Sequence, residues 1–303
     1  MIVVFGLGVG ALVGLTGMGG GSLMTPLLIV VFGIKPVTAV GTDLAYGAVT
    51  KTVGGWRFLR HGTVDMGLST WMAFGSVPAA VGGVYVLEAI KRHYGEQFDN
   101  VMLTAVAFAL LFTGLAVMAR SMFLPKLIDQ EKDRVVMTGR NKLYAVLLGL
   151  FVGFILGVTS AGSGSLIAVG LILLFRLAPK EVVATDVFHA AILLWAAALA
   201  HIVAGNVDWV LMANILIGSL PGVWLGSHLV TKIDVRTLRT ALAIVLLGGG
   251  LGLLSKAGAG IPPAVIAAVP IVLAVVVIWQ ERRRRTARRL ELQARRPVEA
   301  GGS

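Results

Sequence analysis

Two Thr-Asp pairs, Thr42-Asp43 and Thr185-Asp186, lie 143 residues apart, each about two turns into a mostly apolar stretch. A carboxylate at that depth in hydrocarbon costs roughly 2.5–3.5 kcal/mol on insertion scales, so such residues mark proton, ion or substrate pathways. The alternative is a structural tie between helices. His189 follows Asp186 by three positions, within reach on one helix face, and imidazole beside carboxylate suits a proton relay. Lys51 sits two turns past Asp43. It offers a fixed positive charge for an anion or a counter-charge for Asp43, with snorkelling toward Trp56 and Arg57 as its other use.

Two small-residue stretches complete the chemistry: Gly17-Met18-Gly19-Gly20-Gly21-Ser22 and Ser160-Ala161-Gly162-Ser163-Gly164-Ser165. Each Gly costs a helix up to about 1 kcal/mol relative to Ala, so both stretches predict a break. Helices restarting near Ser22 and Ser165 would present unpaired N–H groups and the positive dipole end. Glycines admit a ligand close to the backbone, and hydroxyls add donors. Gly19, Gly20, Gly21 and Ser22 with Gly162, Ser163, Gly164 and Ser165 therefore form a candidate anion cradle, with Lys51 as its charge. Close helix packing is the rival use of these glycines. Thr42, Asp43, Thr185, Asp186 and His189 are the candidate coupling or structural polar groups.

The elements that must hold these residues are membrane helices. The 303-residue chain is 57% hydrophobic and 14% charged, with mean hydropathy +0.89. That is too apolar for a soluble domain. Several runs reach the ~20 residues a bilayer core requires, and in lipid such runs must be helical. Strand alternation is absent, which argues against an outer-membrane barrel.

At the offset of 143 the two halves align without a gap. Gly6, Gly10 and Gly14 meet Gly149, Gly153 and Gly157. Pro36 meets Pro179, Val64-Asp65 meets Val207-Asp208, and Gly75-Ser76 with Pro78 meets Gly218-Ser219 with Pro221. The chain thus reads as membrane repeat 1 (1–119), a charged linker (120–141), membrane repeat 2 (142–255), an extra transmembrane helix (256–281) and a basic tail (282–303). Each repeat opens on a Gly-broken segment, 1–34 or 142–177. Three helices follow: 37–58, 67–89 and 100–119, then 181–202, 208–230 and 236–255. Gly6, Gly10, Gly14 and their like, at i, i+4, i+8 spacing, are small-residue stripes for close helix contact. Asp65 and Asp208 read as N-caps. His61 and His201 read as interfacial, and Trp56, Trp71, Trp209 and Trp279 as an aromatic belt.

Charge decides whether the broken segments cross the bilayer or turn back. If they turn back, the linker, the tail, Arg57, Arg60, Arg176, Lys180, Lys232, Arg236 and Arg239 share one side. Only Lys35, Lys91, Arg92 and Lys256 are left on the other. Crossing segments would strand the basic linker outside, against the positive-inside rule. The expected fold is therefore all-α and polytopic, with two inverted repeats, re-entrant broken helices and one extra C-terminal helix. The net charge of +11 owes much to eight arginines in 282–296. They read as a cytoplasmic anchor to anionic lipid headgroups rather than a nucleic-acid site.

Other classes find little support. There is no cysteine, and no Ser-His-Asp, HExxH or nucleotide-binding signature, so no metal or cofactor is expected and the chain is read as no enzyme. Gly6-Leu7-Gly8-Val9-Gly10-Ala11 mimics a dinucleotide fingerprint, but its acidic partner about 20 positions on is missing.

Gly17-Met18-Gly19-Gly20-Gly21-Ser22, Val40-Gly41-Thr42-Asp43-Leu44, Thr50-Lys51, Arg60-His61-Gly62-Thr63-Val64-Asp65 and Gly218-Ser219-Leu220-Pro221-Gly222 together resemble the sulfite exporter TauE/SafE family, also called toluene-sulfonate uptake permeases. The likeness runs over about residues 6–255. It implies a multi-pass permease of the bacterial inner membrane for sulfite, a sulfonate or a related sulfur-containing or organic anion. Asp43 and Asp186 stand where many members have Ser, and the last helix and tail lie outside the common pattern. The leading expectation is a secondary transporter for a small anion, with proton coupling through the intramembrane carboxylates. An anion channel or a membrane partner protein is the alternative, and an intramembrane enzyme using Asp43, Asp186 and His189 is the weakest.

Overall fold

The computed structural model describes residues 1–16, 21–123, 134–229 and 235–276. Gly19, Gly20, Trp279, residues 124–133 of the linker and the arginine-rich tail lie outside them. So do the side chains of Gly21 and Ser22.

The described chain is helical, with no strand. Repeat 1 holds α1 (Ile2–Thr16), α2 (Gly21–Val31), α3 (Pro36–Arg60), α4 (Met66–Tyr94) and α5 (Phe98–Phe123). Repeat 2 holds α6 (Gly139–Thr159), α7 (Leu166–Phe175), α8 (Pro179–Val203), α9 (Trp209–Leu229) and α10 (Val235–Leu254). A π-helical turn, Ser255–Ala259, leads to α11 (Pro263–Val276). Five stretches are long and apolar enough to cross a membrane: Met66–Ala119, Gly139–Thr159, Pro179–Val203, Trp209–Gly226 and Thr240–Ala259. The first contains α4 and α5, divided at Gly95, whose φ of +52° ends α4. This is a multi-pass membrane protein.

Of the two segments expected to break, the second does so between α6 and α7, and the break expected in the first, at 17–20, lies outside the described residues. The first segment holds α1 and α2. With 11 and 10 residues, α2 and α7 reach about 15 Å, half a hydrocarbon core. Proline starts α3 and α8, where its missing N–H costs nothing. Thr138 caps α6, which begins three residues before the expected repeat boundary, inside the stretch read as linker.

The glycine stripes carry the packing. A methyl added at Gly149, Gly153 or Gly157 of α6 would strike the backbone of Met72, Ser76 or Ala80 in α4. A methyl at Gly6 or Gly10 of α1 would strike Ile215 or Ser219 of α9. Each contact maps onto its counterpart at the offset of 143. Residue numbers rise together along both pairs, so α1 runs parallel to α9 and α4 parallel to α6. Along α3 and α8 they run opposite: Gly41 faces Asn206, Gly47 faces Leu194, and Gly55 faces Phe188. Helices α5 and α10 are also antiparallel, with Gly114 against Ala243 and Gly250 against Ala107.

Polar bonds reproduce the pattern. The Asp65 N–H donates to Thr185 Oγ1 at 2.9 Å, and the Asp208 N–H donates to Thr42 Oγ1 at 3.0 Å. Both aspartates cap their helices, accepting from the Leu68 and Leu211 N–H groups. Asp65 also accepts from the Val135 N–H at 2.8 Å, which ties the end of the linker to the α3–α4 corner. The Arg60 guanidinium lies over Trp56 and the Lys142 ammonium over Trp71, at 4.9 and 4.8 Å from the ring centres.

Candidate functional site

Helices α3 and α8 cross at the centre, and their polar residues are buried with them. Half-helix α7 starts beside this crossing because glycine allows the turn that precedes it. After α6, Ser160 takes a left-handed conformation, and Gly162 and Gly164 have φ of +103° and +95°. A side chain at Gly162 would also strike Leu166. The chain therefore reverses tightly before α7, with Ser160, Ser163 and Ser165 all buried.

Asp43 connects α2 to the turn before α7. Its Oδ2 lies 2.7 Å from Thr25 Oγ1, one turn into α2, and 2.8 Å from Ser160 Oγ in the other repeat's turn. The two hydroxyls are themselves 2.6 Å apart. All three residues are at most 1% exposed. Three oxygens in a triangle require three protons for three hydrogen bonds, and the two hydroxyls supply only two. A proton on Asp43 closes the ring; without it, two lone pairs face each other across the Thr25–Ser160 edge. Among the described residues Oδ1 has no hydrogen-bond partner.

Lys51 is 6% exposed, and its Nζ has no hydrogen-bond acceptor among the described residues. An ammonium so placed costs several kcal/mol unless an anion joins it. Asp43 was a candidate counter-charge. Asp43 is held by Thr25 and Ser160, and Asp186 of α8 is a carboxylate near enough to act on Lys51 through space. Lys51 lies between the contacts of Gly47 with Leu194 and of Gly55 with Phe188, level with Ala190 and just over one turn from Asp186, while Asp43 is about 12 Å away along its own helix. Side chains on a helix tilt toward its N-terminus, so the Lys51 stem leans toward the end that bears Asp43.

His189 departs from its expected partner as well. Its Nδ1 lies 3.5 Å from Ser69 Oγ and its Nε2 3.2 Å from Ser76 Oγ, both on α4. The imidazole therefore spans two serines, and no bond joins it to Asp186 among those described. Its counterpart Tyr46 is likewise buried and neighbours Ser219, the counterpart of Ser76. Thr42 and Thr185 brace the helix starts at Asp208 and Asp65 and so stand apart from the centre. His201, expected at the interface, is buried: Nε2 meets the Gly157 carbonyl at 2.8 Å, and Nδ1 lies 3.3 Å from Asn206, which donates to Glu88.

The structure thus gathers Asp43 with the turn that holds Gly162, Ser163, Gly164 and Ser165, and couples Lys51 to Asp186. Thr25 and Ser160 were not singled out as site residues, because their counterparts are Ala168 and Gly17. A search for matched residues passes over them.

The sulfite exporter TauE/SafE family profile matches residues 2–253. A "Probable membrane transporter protein YjnA" of Bacillus subtilis (strain 168) is 39% identical over 253 residues, covering 84% of this chain and 98% of that protein. Two further proteins of that organism are similar. "Probable membrane transporter protein YdhB" is 26% identical over 84% of this chain and 98% of its own length. "Probable membrane transporter protein YunE" is 24% identical over 82% of this chain and 94% of its own length. No solved structure matches. With an all-helical fold, polar residues buried at its α3–α8 crossing and the profile matched over residues 2–253, this chain belongs to the sulfite exporter TauE/SafE family.

Proposed function

We propose that the chain is a secondary transporter for a small oxyanion of the sulfite or sulfonate kind, moved together with a proton. One observation carries the reading: a buried Lys51 ammonium without a hydrogen-bond acceptor, in the interior that also holds the turn before α7. A fixed interior cation of this kind selects for a negatively charged passenger. Broken helices at membrane depth are the usual setting of transporter sites, and the names of the relatives agree with transport. The proton is assigned to Asp43, which closes its ring with Thr25 and Ser160 only when protonated.

The re-entrant, inverted arrangement belongs to the same proposal. If both broken segments crossed, α3 and α8 would run parallel; their antiparallel course supports segments that turn back. The contact of Val135 with Asp65, near Arg57 and Arg60, supports one side for the linker and the α3–α4 corner. By the positive-inside rule that side is the cytoplasm, and the tail is assigned to it.

Counterflow in proteoliposomes tests the reading. Vesicles preloaded with unlabelled sulfite, thiosulfate or methanesulfonate are expected to accumulate the labelled form transiently. Folded Lys51→Met should lower that uptake at least tenfold, the scale of one hydrogen bond to a charged group. A channel shows no exchange-driven accumulation, and an enzyme yields product; either result sinks the proposal, as does a Lys51→Met variant that exchanges like wild type.

A further inference from the structure

Thr113 on α5 is fully buried, and among the described residues its hydroxyl has no hydrogen-bond partner. That sets it apart from other threonines within helices. Thr50, Thr52, Thr70, Thr104 and Thr159 return their hydroxyls to the carbonyl four residues earlier. Thr42 and Thr185 accept from backbone N–H groups, and Thr25 bonds Asp43. A buried hydroxyl that skips the carbonyl within its own reach is one held for something else.

Its direction shows what that is. Thr113 Oγ1 lies 3.5 Å from where a Cβ on Gly162 would sit, a position that the Leu166 side chain also borders, beside the turn before α7. In that turn the Ser165 and Leu166 N–H groups both go to the Gly162 carbonyl, at 3.2 and 3.0 Å. The Ser163 and Gly164 N–H groups have no backbone partner among the described residues. An orphaned hydroxyl, two free amides and the positive end of a ten-residue helix therefore converge on one turn. They are all donors, so the group they fit is an acceptor with several lone pairs and negative charge.

We infer that Thr113 is an anion-binding residue whose hydroxyl donates to an oxyanion seated on the turn between Gly162 and Leu166. This rests on the transporter reading and deepens it by assigning a side-chain donor on α5, a helix that reading does not use. An oxyanion such as a sulfonate, with three oxygens to share among the amides and the hydroxyl, fits better than a halide. A halide gains nothing from the fan of separate donor directions.

The test measures binding of sulfite, thiosulfate and methanesulfonate to the purified full chain by calorimetry, with chloride for comparison. Thr113→Val, nearly isosteric, should weaken the oxyanion that wild type binds by about tenfold, and Thr113→Ser should restore it. The Val variant should unfold at the same temperature as wild type or higher, because the hydroxyl it loses has no protein partner. That outcome separates ligand binding from a structural role. If Thr113→Val binds like wild type while Lys51→Met does not, this inference falls and the transporter reading stands. If wild type binds none of the three oxyanions, both fall.

Discussion

Asp43→Asn should uncouple transport from the proton gradient without stopping exchange. The Asp43, Thr25 and Ser160 oxygens close a ring of 2.6, 2.7 and 2.8 Å contacts that lacks one proton unless the carboxyl carries it. The Asn amide supplies N–H donors to both hydroxyls at the same place, so it imitates the protonated ring permanently. One ring holds one proton, so the proposed mechanism moves one proton per anion. A gradient of one pH unit is then worth about 1.4 kcal/mol, a tenfold accumulation on the alkaline side. A monovalent anion moving with one proton carries no net charge, so membrane potential adds nothing. The assay loads proteoliposomes with buffer one pH unit above the outside and follows labelled methanesulfonate, whose charge does not change across the range, or whichever anion counterflow identifies. Wild type should reach about tenfold accumulation, and Asp43→Asn should equilibrate with no accumulation while still exchanging label. Tenfold accumulation by Asp43→Asn would refute the assignment. Hundredfold accumulation by wild type would refute the single ring and point to Asp186 as a second proton site.

Gly153→Ala should destabilise the protein by about 1–3 kcal/mol, because the added methyl meets the Ser76 backbone, which has no rotamer to yield. Gly82→Ala, with open space around it, should be neutral or slightly stabilising, and thermal unfolding in detergent compares the two. The chain has no cysteine, so single cysteines at Gln130 and Gly258 report topology. An impermeant reagent applied from outside should label Gly258→Cys and leave Gln130→Cys untouched; the reverse would overturn the orientation.

Helix positions were legible because apolar length and breakers determine them. Pro36 and Pro179 start α3 and α8, Asp65 and Asp208 cap the next helices, and clustered glycines interrupt the segment that yields α6 and α7. The small-residue stripes were legible too, since i, i+4 spacing leaves one face bare along its length. Partnerships across the two halves were not. That Asp186 and His189 of α8 lie across from Lys51 depends on α3 running against α8, and spacing along one chain carries no such direction. Thr25, Ser160 and Thr113 face Ala168, Gly17 and Lys256 at the repeat offset. Duplication reveals what both copies kept, whereas the working centre is where they diverged. His201 looked interfacial because it closes α8, yet Asn206 and the Gly157 carbonyl cover it.

The two glycine ladders have a mechanical consequence. Helix α1 is clasped by α9, and α6 by α4, backbone against backbone, so each half of the chain has surrendered its first helix to the other. Separating the halves would strip both clasps at once, with no flexible side chains to absorb the shear. A rocking motion between the first and second halves of the polypeptide is therefore closed to this molecule. The clasped pairs, each assembled from both halves, are the units expected to move as wholes. The α3–α8 crossing lies between those units, so Asp43 and Lys51 sit where relative displacement alters distances most.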